Sequence, residues 1–358
     1  AVAYGRDDSR FAENKRAVEE KYMGPLIKTV MTRCIQCTRC VRFATEIAGV
    51  DDLGLVNRGE NAEITTYLEK AVESELTGNL IDVCPVGALT SNPYAFTARP
   101  WELRKTETID VMDAVGSNIR VDARGGEVLR VLPRLHEDVN EEWISDKTRY
   151  ACDGLKRQRL DRPYIRKDGK LQPASWEEAL ETVAAKLKGL KGGEIAAIAG
   201  DTADVESMYS LKGLMTALGS PNLDCRQDGA KLDATSRAGY LFNSTIAGIE
   251  DADAILIVGA NPRWDAAVLN TRIRKRWLAG GLKVGLIGAP VDLTYEYEHL
   301  GAGPQTLSEV AEGKQSFAAV LKDAERPMLI LGMGALARED GAAVLATARK
   351  IVESTGML

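Results

Sequence analysis

Three cysteines stand at two-residue spacing, Cys34-Ile-Gln-Cys37-Thr-Arg-Cys40, and a fourth, Cys84, precedes Pro85. Four thiolates are what a cube of four irons and four sulfides needs, one per iron. Two-residue spacers let one loop wrap three corners, and a remote Cys-Pro closes the fourth. The gaps in the pattern say how many such groups to expect. A two-cluster ferredoxin run carries a further Cys-Pro four positions after its third cysteine, and that position here is Ala44. Counting back from Cys84 at the same spacings gives Leu80, Thr77 and Ser74, none of them an iron ligand. The residues therefore predict one [4Fe–4S] cluster on Cys34, Cys37, Cys40 and Cys84.

Other chemistries fit less well. Structural zinc uses two separated pairs of Cys or His rather than a triplet. Six cysteines in 358 residues are too sparse for a disulfide framework. Cys152 and Cys225 have no Cys or His close by in sequence and read as small buried hydrophobes. Two histidines, His136 and His299, leave little for a histidine-rich metal site; each reads as a surface or hydrogen-bonding residue. Arg33, Arg39 and Arg42 flank the cysteine loop. Positive charge there would raise the potential of a cluster, or the arginines form ordinary exposed ion pairs. The sequence leaves both readings open.

As for the frame that must hold these residues, a length of 358 allows two or three domains. A hydrophobic fraction of 45% and a charged fraction of 27% are those of an ordinary globular chain. No run is long enough to span a bilayer, so no membrane insertion is expected. The polar opening residues predict no signal peptide. Thiolate ligands imply a reducing compartment, cytosol or organelle matrix. A net charge of −6 argues against non-specific nucleic-acid binding.

Residues 1–97 read as the cluster module. A short helical pattern follows Cys40, 53–58 and 62–67 form strands around Gly59, and 75–83 approach Cys84, where Pro85 stops any helix. Residues 98–154 read as a small β-rich unit, with 118–123 and 127–131 alternating around Arg124-Gly125-Gly126 as a hairpin. From about 173 the period becomes α/β. Ser175 caps a helix through Leu187, and short apolar strands at 195–199, 254–258, 284–287 and 328–331 alternate with helices at 205–218, through Leu269, Ile273 and Trp277, and at 341–352. That alternation predicts a doubly wound parallel sheet over 155–358. A sheet built this way normally continues, so a continuation past the last helix is expected.

The phrases CIQCTRCVRFATEIAGVDDLG, CPVGALTSNPYAFTARPWE, HEDVNEEWISDKTRYACDGLKRQRL, NPRWDAAVLNTRIRK and APVDLTYEYEHLG closely resemble the large iron–sulfur subunits of respiratory complex I, in the wording of the mitochondrial and alphaproteobacterial branch. The resemblance runs over nearly the whole chain. It implies that Cys34, Cys37, Cys40 and Cys84 ligate one cluster of an electron wire. It also implies a [2Fe–2S] cluster and a second [4Fe–4S] cluster upstream of this chain, and a second α/β half downstream. The partners it implies are the flavin- and NADH-binding subunit and the quinone-proximal iron–sulfur subunits. The reaction it implies is that of the whole complex: NADH oxidation, quinone reduction and proton translocation. The place is the cytoplasmic face of a bacterial inner membrane or the matrix face of the mitochondrial one, as a peripheral subunit.

The 98–154 unit and the α/β region also resemble molybdopterin oxidoreductases such as formate dehydrogenase, which carry a further [4Fe–4S] cluster in the small unit. On that pattern Asp110, Asp113 and Ser117 stand at the first three cysteines and Ser145 near the fourth. Carboxylate and hydroxyl oxygens are poor replacements for thiolates on such a cluster, so an empty site is expected. The turns Gly200-Asp201 and Gly259-Ala260-Asn261-Pro262 follow strands but hold no G-x-G-x-x-G or P-loop, so no molybdopterin is expected. A catalytic molybdopterin oxidoreductase is the competing reading. A purely structural assembly subunit is a third.

Overall fold

The computed structural model describes residues 4–6, 8–13, 16–200, 202–225 and 228–357. Strand β1 (Ile27–Thr29) leads through a 3₁₀ turn to Cys34, and helix α1 (Arg39–Arg42) starts beside Cys40. Beyond α1 the chain continues as a π-helix, Phe43–Ala48, ended by Gly49 at φ +75°. Strands β2 (Leu53–Val56) and β3 (Glu63–Thr66) pair antiparallel around Gly59, as their alternation predicts. Helix α2 (Asn79–Val83) runs into Cys84, and β4 (Leu89–Ser91) pairs antiparallel with β1, Thr29 opposite Leu89. That pairing, between segments far apart in sequence, sets the loop that follows β1 beside the Cys-Pro that precedes β4.

The second unit is a three-stranded antiparallel sheet in the order β5 (Arg104–Ile109), β6 (Asn118–Arg124), β7 (Glu127–Pro133). The β6–β7 hairpin is the expected one. Strand β5 is an addition: all six of its residues are exposed, so no apolar alternation announces it. Helix α3 (Asp146–Tyr150) follows, capped by the Ser145 hydroxyl, which accepts from the Thr148 amide at 3.2 Å. The core of this unit is small: Ile119, Val131 and Ile144, with Cys152 packed against them.

The third unit opens with the hairpin β8 (Tyr164–Lys167)–β9 (Lys170–Pro173), then α4 (Trp176–Leu187), whose cap is Ser175 as expected. Strand β10 (Ala196–Ile198), helix α5 (Val205–Ala217) and strand β11 (Asn222–Asp224) follow. Next come β12 (Ala254–Val258), α6 (Pro262–Asp265), α7 (Ala267–Leu278), β13 (Lys283–Ile287) and β14 (Glu298–Gly301). Helices α8 (Pro304–Ala311) and α9 (Ser316–Asp323), strand β15 (Pro327–Leu331), and helices α10 (Met333–Leu336) and α11 (Gly341–Thr355) complete it. Four strands form one parallel sheet in the order β14-β13-β12-β15. All of β12 is buried. Its Ile255 and Ile257 face one core with α7, while Ala254, Leu256 and Val258 face another with α8, α9 and α11. Helices on both faces make it doubly wound, and explain why β12 reads as an unbroken apolar run.

The strand expected at 195–199 forms, but it does not join that sheet. β10 pairs in parallel with β11 alone. Both are three residues long, and α4, which precedes them in the chain, buries no residue fully, leaving Trp176, Leu180 and Val183 exposed. An apolar run announces a strand and not its partner. By contrast, Met23, Leu76 and Leu80 of the cluster module share one continuous core with Ile255, Ile257 and Ile273. The module is thus packed onto the main sheet rather than tethered to it.

Candidate metal centre

Cys34, Cys37, Cys40 and Cys84 line one pocket, walled otherwise by Thr38 and by apolar side chains including Met31, Ile35, Ile64 and Val86. Cys40 is buried, Cys34 and Cys84 are half-buried, and Cys37 is exposed. The backbone that brings the triplet together is strained. Gln36 and Thr38, one in each spacer, hold left-handed conformations at φ +49° and +59°. Such angles cost a residue with a side chain about 1–2 kcal/mol. Each turns the chain so that the next cysteine points back into the same pocket. Thr38 then caps α1, its carbonyl accepting from the Arg42 amide at 2.9 Å.

Among the described residues no three Cys, His, Asp or Glu side chains converge as ligands of one ion would. The thiols instead stand around a common pocket, which suits a group offering one metal per thiol. Their electrostatics fit a cationic occupant. Burial pushes the Cys40 thiol up to about 11, and the nearby Cys34, Cys37 and Cys84 thiols add to the push. A thiolate buried as Cys40 is needs metal charge to stay deprotonated, and metal binding releases its proton. The Gln36 amide already points at the Cys34 sulfur, 3.4 Å away.

Of the flanking arginines, Arg42 forms an exposed ion pair with Glu46 at 2.9 Å, the plainer of its two readings. Arg33 lies against the loop after Cys84: a Cβ on Gly87 would stand 3.1 Å from its Nη1. Sequence reasoning missed the residues that hold α2. Asn79, Asp146 and Arg149 make hydrogen bonds across the boundary between the first two units. Nothing in the sequence marks a helix arginine as inward-facing.

The positions expected to be a vacated cluster site do come together. Asp110 accepts from the Thr148 hydroxyl at 2.8 Å, and Ser145 lies 2.9 Å from that same hydroxyl. The Asp110 amide donates to the Ser117 carbonyl at 2.8 Å. Asp113 Oδ1 accepts from the Val115 amide, while its Oδ2 and the Ser117 hydroxyl are buried without a protein partner. Burial raises the Asp113 pKa, and the Asp110 charge adds to the rise. Asp110 and Ser145 are thus tied together through Thr148, while one oxygen each of Asp113 and Ser117 faces no protein partner.

Gly259, at the end of β12, has φ +59°, and a Cβ there would meet the Ala335 methyl at 2.6 Å. A Cβ on Gly332 would run into the Gly259 carbonyl. Close packing between the two turns accounts for these glycines without a phosphate. Asp201, of the other turn, lies outside the described residues. Cys152 is half-buried, near the expected role; Cys225 is exposed, against it, because β11 carries it out of any core. His299 is exposed and bonded to the Gly288 carbonyl at 2.8 Å.

Three family models match the chain. That of the NADH-quinone oxidoreductase subunit 3 ferredoxin-like domain matches residues 24–90. That of the NADH-ubiquinone oxidoreductase NDSU1/NuoG-like 4Fe-4S domain matches 103–153, and that of molybdopterin oxidoreductase matches 159–358. The chain is 56% identical over 352 residues to the G subunit of NADH-quinone oxidoreductase from Rickettsia felis, covering 98% of this chain and 52% of that protein. It is 54% identical over 359 residues to the mitochondrial NADH dehydrogenase (ubiquinone) iron-sulfur protein 1 of Solanum tuberosum, covering 100% and 49%. It thus spans about half the length of the curated relatives it matches. Among solved structures, acetylene hydratase from Pelobacter acetylenicus is similar in fold, with a TM-score of 0.53 and 12% identity over 71% of this chain and 44% of that one.

Proposed function

The chain belongs to the family of the large iron–sulfur subunit of NADH-quinone oxidoreductase, with the molybdopterin oxidoreductase fold over residues 159–358, and from that premise we propose that it relays single electrons through one [4Fe–4S] group held by Cys34, Cys37, Cys40 and Cys84. The observation that carries the reading is the common pocket lined by all four thiols. A [4Fe–4S] group supplies one-electron storage at a potential set by its charge, hydrogen bonds and exposure. The chain does the rest. Gln36 and Thr38 fix the direction of the triplet, α2 delivers Cys84, and Met31, Ile64 and Leu89 keep water off the inner side. Exposed Cys37 and Ile35 mark the edge open to a partner.

The partners in this reading are the other peripheral subunits of complex I, a flavin- and NADH-binding subunit and quinone-proximal iron–sulfur subunits. The whole assembly would oxidise NADH, reduce quinone and translocate protons. The chain would sit as a peripheral subunit on the cytoplasmic face of a bacterial inner membrane or the matrix face of a mitochondrial one. Supporting this are the names of its relatives and the fact that no helix among the described residues is long and apolar enough to cross a membrane. We assign the domains as 1–97, 98–154 and 155–358, a division supported by the breaks between the three family matches.

The reading includes one cluster and no molybdopterin. A catalytic molybdopterin oxidoreductase is favoured by the family match over 159–358 and by the shared fold. Against it stand the hydrogen-bonded oxygens at Asp110 and Ser145 and the close packing of Gly259 on Ala335. Iron, sulfide and molybdenum assays on anaerobically purified chain test the choice. About four irons and four sulfides per chain support the relay. About eight irons, or bound molybdopterin, would favour the alternative, and zinc in place of iron would overturn both.

A further inference from the structure

We propose that Arg149, in the second unit, is a positioning residue for the Cys84 ligand of the first. This rests on the cluster reading above. Cys84 lies remote from the triplet, and only α2 delivers it. A helix of five residues has no stability of its own, so something else must hold it. Residues 144–149 do. Asn79 donates to the Ile144 carbonyl at 2.8 Å and accepts from the Ile144 amide at 3.2 Å. Asp146 Oδ1 accepts from the Gly78 amide, the cap of α2, at 2.6 Å.

Arg149 completes the hold at the end nearest the ligand. Its Nη2 donates to Asn79 Oδ1 at 3.1 Å and to Asp82 Oδ2 at 2.5 Å, so one nitrogen spans the first turn of α2 and the residue two before Cys84. The side chain is 4% exposed, and a Cβ on Gly78 would stand 2.6 Å from its Cδ. Gly78 is therefore the residue that lets the arginine stem lie against the start of the helix. Arg149 is the buried member of this pair, while the Asp82 side chain stays 27% exposed. Removing Arg149 leaves the Asp82 carboxylate unpaired and only partly screened by solvent, two residues before the ligand. The second unit thus acts on the first unit's metal centre through an arginine that touches no ligand atom.

The test compares anaerobically purified wild-type chain with Arg149→Met, Arg149→Lys and Ile119→Ala, the last loosening the core of the same unit without touching α2. Redox-poised EPR and the rate of iron loss to a chelator are read for each. With Arg149→Met the midpoint should fall by at least a twofold change in reduced fraction at fixed potential, about 18 mV at 59 mV per tenfold. Iron loss should quicken about tenfold, Arg149→Lys should fall between, and Ile119→Ala should keep the wild-type signal and midpoint. If Arg149→Met does not yield folded chain, Asp82→Asn is read instead, with the midpoint moving upward. An iron-loaded wild type with an indifferent Arg149→Met, or an Ile119→Ala that reproduces its changes, overturns the proposal alone. A wild type without iron overturns the cluster reading and the proposal with it.

Discussion

The guanidinium of Arg274, on α7, donates through Nη2 to the carbonyl oxygen of Thr45 at 2.8 Å. Its Nε reaches the Glu46 carbonyl at 3.2 Å, and Nη1 bonds the Thr294 carbonyl. The carbonyls at the end of a helix lack partners within it and draw positive charge. Arg274 thus closes the helical run that begins beside Cys40 and fastens the cluster module to the main sheet.

Gly49 makes that fastening possible, so Gly49→Ala should be costly. Its φ is +75°, and a Cβ would stand 2.8 Å from Arg274 Cζ and 2.6 Å from Thr294 Cβ. The expected loss is about 1–3 kcal/mol from backbone strain and overpacking together. Arg274→Ala removes part of the clash, so the double variant should lose less than the sum, with a coupling of at least about 0.5 kcal/mol in a urea-unfolding cycle. Strict additivity would mean that the two residues do not meet.

Burial of the Asp146 carboxyl gives a pH signature. It pushes the pKa up to about 6, with the Gly78 amide and Arg149 pulling the other way. The unfolded value is about 3.9. A raised carboxyl pKa means that the protonated form is favoured in the fold. Its stabilising contribution is full below the unfolded pKa and is lost as pH rises through about 6. Asp146→Asn cannot titrate. The stability of the variant relative to wild type should therefore be higher at pH 8 than at pH 5, by about 1–3 kcal/mol. Thermal melts at both pH values check this, and a difference independent of pH would contradict it.

Two apolar substitutions should part company. Ile257→Ala removes a side chain with 0% exposure from an inner strand of the main sheet, and should cost about 2–5 kcal/mol. Leu180→Lys acts on a leucine that is 62% exposed on α4, and should stay within about 0.5 kcal/mol of wild type. Chemical denaturation of this chain reads both. A large loss from Leu180→Lys would show that α4 is packed against something.

The two remaining thiols should label unequally. Cys225 is exposed, whereas burial of Cys152 raises its thiol pKa and shields it. Thiolate is the reactive form. With the cluster intact, a maleimide at pH 7 should modify Cys225 well before Cys152, as read by peptide mass spectrometry. Equal rates would contradict the packing of Cys152 against Ile119, Val131 and Ile144.

What could be seen in the sequence was whatever a short window encodes. The cysteine spacing, the hairpins around Gly59 and Gly125, the Ser175 cap and the apolar run of β12 all depend on neighbours within a few residues. What escaped depends on distant partners. Strand β5 is polar and exposed, and exists because β6 offers it a ladder. β10 was visible as a strand, but its separation from the main sheet was not. Arg149 carries the composition of a surface residue and becomes interior only because Asp82 and Asn79 wait for it across a unit boundary. Around the pocket, the four cysteines that line it were legible, while the left-handed turns at Gln36 and Thr38 were not, since neither residue favours them on its own.

Low-temperature EPR of anaerobically purified, dithionite-reduced chain decides whether the four cysteines hold one [4Fe–4S] group. The expected result is a single reduced-cubane signal of about one spin per chain, abolished in Cys84→Ala and untouched in Cys152→Ala. A signal that survives Cys84→Ala, or about two spins per chain, would contradict it.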